Sequence, residues 1–302
     1  MLGSSSVVLR YRRGSKSIRL GLSGDVGRKE MPIIRDPESL PPVDFLIMES
    51  TYGGRLHAPR TSVKDKLAKI INDTCGRGGH VVVPAFSVGR TQELVLMLHE
   101  LTLENKIPDI PIYVDSPLAT NATEVYRRHP ECYDNEIREH LEDDRDPFAF
   151  KRLRYTRNVG ESKALNDVRY PYVVISASGM CEAGRILHHL RNSIEDPRNT
   201  VLITCYQAGH TLGRKIVEQQ REVPIFGEPM RLRANVVKLN EMSGHADQQE
   251  LLNWLRPIAS DLKRIFLVHG EPPAQASLAA AIEGLFDIEV VTPEYGKCYE
   301  LT

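Results

Sequence analysis

The sequence predicts an α/β protein of two domains built on parallel sheet. Three observations carry that prediction. A chain of 302 residues is long enough for more than one core. Between Gly78 and Asp115, short apolar strands alternate with loops and amphipathic helices, the pattern of parallel strands joined by crossovers. Apolar runs also stop repeatedly on a polar residue in a small-residue loop, at Asp25, Glu49 and His269. That strand-end position is where α/β sheets carry ligands and catalytic groups.

In chain order, residues 7–11 and 17–22 read as a hairpin around Arg12-Arg-Gly14. Residues 32–42 form a polar, proline-rich connector. Residues 45–49 are a strand ending on Glu49. Residues 62–72 place Val63, Leu67, Ile70 and Ile71 at helical spacing. A glycine turn leads into the buried strand Val81-Val-Val-Pro84, the loop 85–90 and a helix over 91–103 with Leu94, Val95, Leu98 and Leu101 on one face. Ile112-Tyr-Val-Asp115 is a further strand. Residues 131–146 carry eight acids (Glu131, Asp134, Glu136, Glu139, Glu142, Asp143, Asp144, Asp146) and read as a solvated helical face. Strands at 172–176 and 201–205 each run into a small-residue loop and a helix. From 234 onward the pattern is strand, helix (248–255), strand, helix (274–285) and two short strands.

Composition bounds the class. With 41% hydrophobic and 26% charged residues the chain is of ordinary globular type. A net charge of −1 provides no global field for a polyanion, so nucleic-acid contacts must be local. Five dispersed cysteines (Cys75, Cys132, Cys181, Cys205, Cys298), none in a CxxC pair, fit reduced thiols and a cytoplasmic setting. No apolar run approaches the roughly 18 residues of a membrane span, and the start lacks the apolar core of a signal peptide.

The chemistry gathers at four strand ends. A carboxylate offers two hard oxygens and can bridge two cations; an imidazole offers one nitrogen to zinc. A two-metal site suits phosphodiester hydrolysis, because it activates water and stabilises charge on phosphate oxygens. Asp25 and His269 are the candidate ligands. Glu49 and His245 are a candidate acid–base pair, in which the carboxylate fixes the imidazole tautomer and the imidazole protonates a leaving oxygen. For phosphate, the loop 176–184, with Ser178 and Gly179, offers backbone N–H groups ahead of a helix. Arg185, Arg214 and Lys215 are candidate cations for the same anion. His188, His189 and His210 have no acidic or cysteine partner at ligand spacing and read as structural or substrate-facing.

These residues resemble the β-CASP branch of the metallo-β-lactamase superfamily, the RNA-processing nucleases. Ser23-Gly-Asp25-Val-Gly-Arg28 is similar to the superfamily's fourth metal motif. Glu49-Ser-Thr-Tyr-Gly53, Ser243-Gly-His245-Ala-Asp247 and Val268-His269-Gly-Glu271 are similar to β-CASP motifs A, B and C. The separation of His245 and His269 (269 − 245 = 24) fits as well. So do Pro84-Ala-Phe-Ser-Val-Gly-Arg-Thr-Gln-Glu-Leu94, Asp115-Ser-Pro-Leu-Ala119 and Ser176-Ala-Ser-Gly-Met180. The resemblance covers essentially the whole chain. It implies a metallo-β-lactamase αββα domain over 1–52 and 238–302, interrupted by an inserted α/β β-CASP domain of parallel-sheet type over 53–237. It further implies a zinc-dependent ribonuclease in which Asp25 bridges two zinc ions, His269 completes one, and Glu49 orients His245 toward the leaving group. RNA is the implied partner, a homodimer the candidate oligomer, and no membrane is involved.

One departure qualifies the resemblance. The family's first zinc motif, His-x-His-x-Asp-His, has no counterpart here, and the histidine of the third would fall just before Met1-Leu-Gly-Ser4. The expectation is therefore the second half of an αββα domain, an incomplete zinc site, little bound zinc and no turnover by these 302 residues alone. The rival functions are a catalytically inactive β-CASP scaffold or RNA-binding subunit, and a metallo-β-lactamase-fold hydrolase acting on DNA or small esters.

Overall fold

The computed structural model describes residues 2–58, 62–135, 137–138 and 146–301. Of the acidic run, Glu136, Glu139, Glu142, Asp143 and Asp144 lie outside the described residues, and with them the expected helical face.

The elements in chain order begin with strands β1 (Val7–Arg13), β2 (Lys16–Leu22) and β3 (Phe45–Glu49). Helix α1 (Val63–Gly76), strand β4 (Val81–Pro84), helix α2 (Arg90–Leu103) and strand β5 (Ile112–Val114) follow. Next come α3 (Pro117–Arg128), β6 (Leu153–Tyr155), α4 (Val159–Ala164), β7 (Val173–Ser176) and α5 (Ile186–Ser193). Then β8 (Thr200–Ile203), α6 (Leu212–Val217), β9 (Glu222–Ile225), β10 (Glu228–Arg231) and β11 (Asn235–Lys238). The chain closes with α7 (Gln248–Leu255), β12 (Arg264–Val268), α8 (Pro272–Phe286) and β13 (Glu289–Val291).

The chain divides into two compact units: residues 3–57 with 244–302, and residues 58–243 together with Leu2. The first unit holds a five-stranded sheet in the order β1-β2-β3-β12-β13, antiparallel at β1–β2 and parallel elsewhere. Leu46, Met48, Ile265 and Leu267 occupy one face and pack in one core with Leu251 and Leu255 of α7 and Leu278 and Ile282 of α8. The register puts Leu9 opposite Leu20 and Leu20 opposite Phe45, on the other face, where Leu9 is 53% exposed. α7 starts on a capping box: Asp247 accepts the N–H of Glu250 and the Glu250 side chain accepts the N–H of Asp247.

The second unit holds a six-stranded sheet, β11-β8-β4-β7-β5-β6, every pair of which is parallel. β4, β7 and β8 are buried along their whole length, which is why they read in sequence as unbroken apolar runs. α3 is started by Ser116, whose hydroxyl accepts the N–H of Ala119, with Pro117 in the first turn. No helix among the described residues is long and apolar enough to cross a membrane, and all five cysteines are free.

Two expectations change, and one hairpin appears where the sequence carries no expectation. The β1–β2 turn lies at Gly14-Ser15 rather than around Arg12, because pairing continues through Arg13 opposite Lys16. Only β13 follows α8 among the described residues; one of the two expected terminal strands is absent from 292–301. The β9–β10 hairpin was not legible, since Pro224 and Pro229 argue against a strand unless it lies in a two-stranded ribbon, as here. Met48 is fully buried in the first unit's core. Met48→Ala should therefore cost about 2–5 kcal/mol, read as a lowered urea midpoint with an unchanged slope.

Candidate metal centre

Four polar side chains meet in the first unit, three of them at or just past strand ends; His245, which the sequence places at a fourth strand end, lies instead in the loop before α7, seven residues beyond β11. Asp25 follows β2 through the turn Ser23-Gly24, where Gly24 has φ +59°. Glu49 is the last residue of β3, only 2% exposed. His269 follows β12 in a left-handed conformation, φ 53°. Gly270 beside it has no room for a side chain: a Cβ would stand 2.4 Å from Ser50 Oγ and 2.6 Å from Ser50 O. His245 lies in the loop before α7, bridged to Gly27.

Glu49 ties these loops together. Its Oε1 accepts the N–H of Val26 at 2.7 Å and its Oε2 that of Thr51 at 3.3 Å. Both oxygens lie 3.1 Å from Nδ1 of His245. A carboxylate only accepts, so Nδ1 of His245 carries a proton toward it, leaving Nε2 as the ring atom that Glu49 does not hold.

Asp25 Oδ1 stands 3.3 Å from His269 Nδ1. Ligand atoms of Asp25, His245 and His269 all lie within 4.8 Å of one another. Two imidazoles and a carboxylate are a regular zinc donor set, and donors on one tetrahedral zinc stand roughly 3.3 Å apart. The residues fit one ion with an open position. Two ions would need more donors than these three, because each takes about four. Thr51 Oγ1 holds the His269 backbone, donating to its carbonyl at 3.0 Å.

His57, which sequence reasoning passed over, belongs to the same unit. Its N–H donates to Asp247 Oδ2 at 2.8 Å, and its ring Nε2 lies 3.1 Å from the carbonyl oxygen of His245. The ring meets Tyr52 edge-on at 4.6 Å. Burial, reinforced by the Arg28 charge, holds its pKa below the ordinary imidazole value. The available signal was its place eight residues after Glu49 in a stretch without apolar period, which alone reads as loop.

The sequence-derived phosphate candidates lie in the second unit. Ser178 Oγ accepts the N–H groups of Glu182 and Ala183, folding its loop on itself. The Gly179 carbonyl oxygen accepts hydrogen bonds from Cys205 Sγ and Gln207 Nε2. Arg214 pairs with Glu218 at 2.7 Å. Arg185 binds Asp115 Oδ1 at 2.7 Å, and buried His189 binds Asp115 Oδ2 at 2.6 Å. Burial pushes the Asp115 pKa up, but hydrogen bonds from His189, Ser162, Thr156 and Arg185 outweigh it and hold the carboxyl well below the usual range.

Comparison with known proteins adds the following. Residues 91–216 match the Beta-Casp domain, and residues 229–293 match the Zn-dependent metallo-hydrolase RNA specificity domain. The chain is similar to Ribonuclease TTHA0252 of Thermus thermophilus, 40% identical over 250 residues, covering 82% of this chain and 56% of the relative. It is similar to Transcription termination factor FttA of Pyrococcus horikoshii, 33% identical over 306 residues, 97% of this chain and 46% of the relative. It is also similar to the RNase J-like protein of Methanocaldococcus jannaschii, 32% identical over 299 residues, 98% of this chain and 68% of the relative. The chain thus spans about half the length of the first two relatives.

Two outcomes follow from the buried carboxylates. Glu49→Ala strands two backbone N–H groups and an imidazole N–H and should cost on the order of 2–4 kcal/mol in urea unfolding. Asp115 has a folded pKa below its unfolded value of about 3.8, so its contribution is full above that value and lost as pH falls through the folded one. The stability gap between wild type and Asp115→Asn should be constant from pH 7 to about pH 5 and shrink below about pH 4.

Proposed function

The chain belongs to the β-CASP family of the metallo-β-lactamase superfamily, and from that premise we propose that its protein is a zinc-dependent ribonuclease hydrolysing RNA phosphodiester bonds. The observation that carries the reading is the Glu49–His245 pair, 3.1 Å apart, whose histidine stands in the same cluster as Asp25 and His269. Asp25 and His269 would hold metal. Zinc, when bound, supplies Lewis acidity: it makes water nucleophilic at neutral pH and neutralises charge on phosphate oxygens.

The protein's own residues do the rest. Glu49 fixes the His245 ring through Nδ1, and Nε2 carries the proton delivered to the departing oxygen. Thr51 and the Gly270 turn hold His269 against Asp25. Ser178, Gly179 and Arg214 contact the RNA in this reading, with the Arg214 guanidinium serving phosphate oxygens; Arg185, expected from sequence to do the same, is engaged by Asp115 instead. Residues 1–52 and 238–302 are metallo-β-lactamase domain and 53–237 the insertion. The complete site takes two ions in this reading; of the three residues gathered here Asp25 and His269 serve as donors, and His245 is kept for proton transfer. The setting is the cytoplasm. A second copy is the proposed protein partner; light scattering at physiological salt tests it, and a monomer at all concentrations overturns that part.

The decisive experiment combines zinc titration with single-stranded RNA and DNA of the same sequence, followed for binding and cleavage. Zinc binding should disappear in Asp25→Ala and His269→Ala. RNA should be bound in preference to DNA, and cleavage, where present, should vanish in Glu49→Gln and His245→Ala. RNA binding indifferent to zinc and to all four substitutions would replace the enzyme with a scaffold. Zinc-dependent cleavage of DNA or a small ester in place of RNA would reassign the substrate.

A further inference from the structure

The peptide unit joining His245 to Ala246 is held at both ends. Its N–H donates to Val26 O at 2.9 Å. Its carbonyl oxygen, 3.1 Å from His57 Nε2, can only accept, so His57 carries its proton on Nε2. The His57 backbone N–H meanwhile grips Asp247 Oδ2 at 2.8 Å, two residues on, so one residue spans the turn that bears His245. The His57 ring is itself fixed edge-on to Tyr52, which bridges to Asp247 and lies 6.4 Å from the His245 ring.

We propose that His57 is a positioning residue: its Nε2–H locks the 245–246 peptide plane and thereby aims the His245 imidazole. Glu49 constrains the ring at Nδ1. The orientation of the peptide from which the side chain springs sets the direction in which the Cα–Cβ bond leaves the backbone, and so where the ring meets Glu49. With His57 absent, the plane is held at the Val26 end alone and can tilt toward solvent, since the His245 side chain is 25% exposed. The proposal rests on the ribonuclease reading only for its kinetic consequence; the geometry of His245 can be read without any turnover.

The test uses the full 302-residue chain, metal-free in chelator, with two variants. His57→Leu keeps bulk and removes the donor, whereas His57→Gln places an amide N–H near the position of Nε2. Long-range proton–nitrogen spectra report the His245 ring, assigned by comparison with His245→Gln. Wild type should show a single Nδ1–H tautomer. His57→Leu should show averaged tautomers and broadened lines with its melting transition retained, and His57→Gln should restore the wild-type pattern. Where RNA cleavage is measurable, His57→Leu should lower kcat about 10–100-fold with little change in KM, and His57→Gln should recover most of it.

Unaltered His245 signals in His57→Leu would overturn the proposal. So would equal losses in both variants accompanied by equal drops in melting temperature, which describe packing alone. Averaged tautomers in His57→Leu, with wild-type RNA binding indifferent to zinc and to the Asp25, Glu49, His245 and His269 substitutions, would uphold the positioning of His245 and count against the ribonuclease reading.

Discussion

Everything at the candidate centre depends on one buried carboxylate. Glu49 is 2% exposed, and an ion taken out of water to that degree is costly unless its lone pairs are filled. Here they receive the N–H of Val26, the N–H of Thr51 and the Nδ1 proton of His245. Hydrogen bonds to a charged group contribute about 1.5–3 kcal/mol each, enough to offset desolvation when all are present. The three donors come from three loops: the one after β2, the one after β3, and the one before α7. One carboxylate therefore sets the relative positions of Asp25, His269's neighbour Thr51, and His245. Longer-range order follows from pairing, since β12 runs parallel to β3 with Val268 opposite Glu49, which brings His269 level with that carboxylate.

This architecture explains which parts of the site were legible in sequence. Asp25, Glu49 and His269 each end an apolar run, and a polar residue placed at the end of a buried strand needs a physical reason. The backbone around them announces itself too, because Gly24 and Gly270 answer a turn and a close approach. His57 sends no such signal. Its work is done by a ring nitrogen against a backbone carbonyl 188 residues away, and a contact between backbone and a loop side chain leaves no period or spacing to read. Arg185 presents the reverse case. Its position before a helix after a glycine loop reads as an anion contact, and the fold engages its guanidinium with Asp115, on a strand end 70 residues earlier.

The fold shows the same division. β4, β7 and β8 are covered on both faces and so appear as largely apolar runs. α3 was hidden by its own composition: Thr120, Asn121 and Thr123 are weak helix formers, and the helix stands on the Ser116 cap, the Pro117 start and a buried stripe through Ala119, Ala122 and Tyr126. The β9–β10 ribbon lies outside the parallel sheet, where a proline in a strand removes no ladder bond that a second neighbour needs. Propensity failed where tertiary contacts decided the outcome, and periodicity succeeded where burial did.

Among the described residues, two carboxylate–imidazole pairs have a buried acid, and their comparison separates architecture from chemistry. Asp115 with His189 and Glu49 with His245 look alike as residue types: each acid is buried and each histidine is within hydrogen-bond reach. The Asp115 pair is closed. His189 is 2% exposed, and Arg185, Ser162 and Thr156 occupy the remaining lone pairs, so any proton shifted there has nowhere to go. The Glu49 pair is closed on one side only. Its acid is sealed, but the His245 side chain is 25% exposed and stands beside the more exposed Asp25 and His269. A proton-transfer group must be rigidly held at one atom and accessible at another. Of the two pairs, only Glu49–His245 meets both conditions, which is why the proposed site is placed there and the buried Asp115 network is assigned to holding β5, α4 and α5 together.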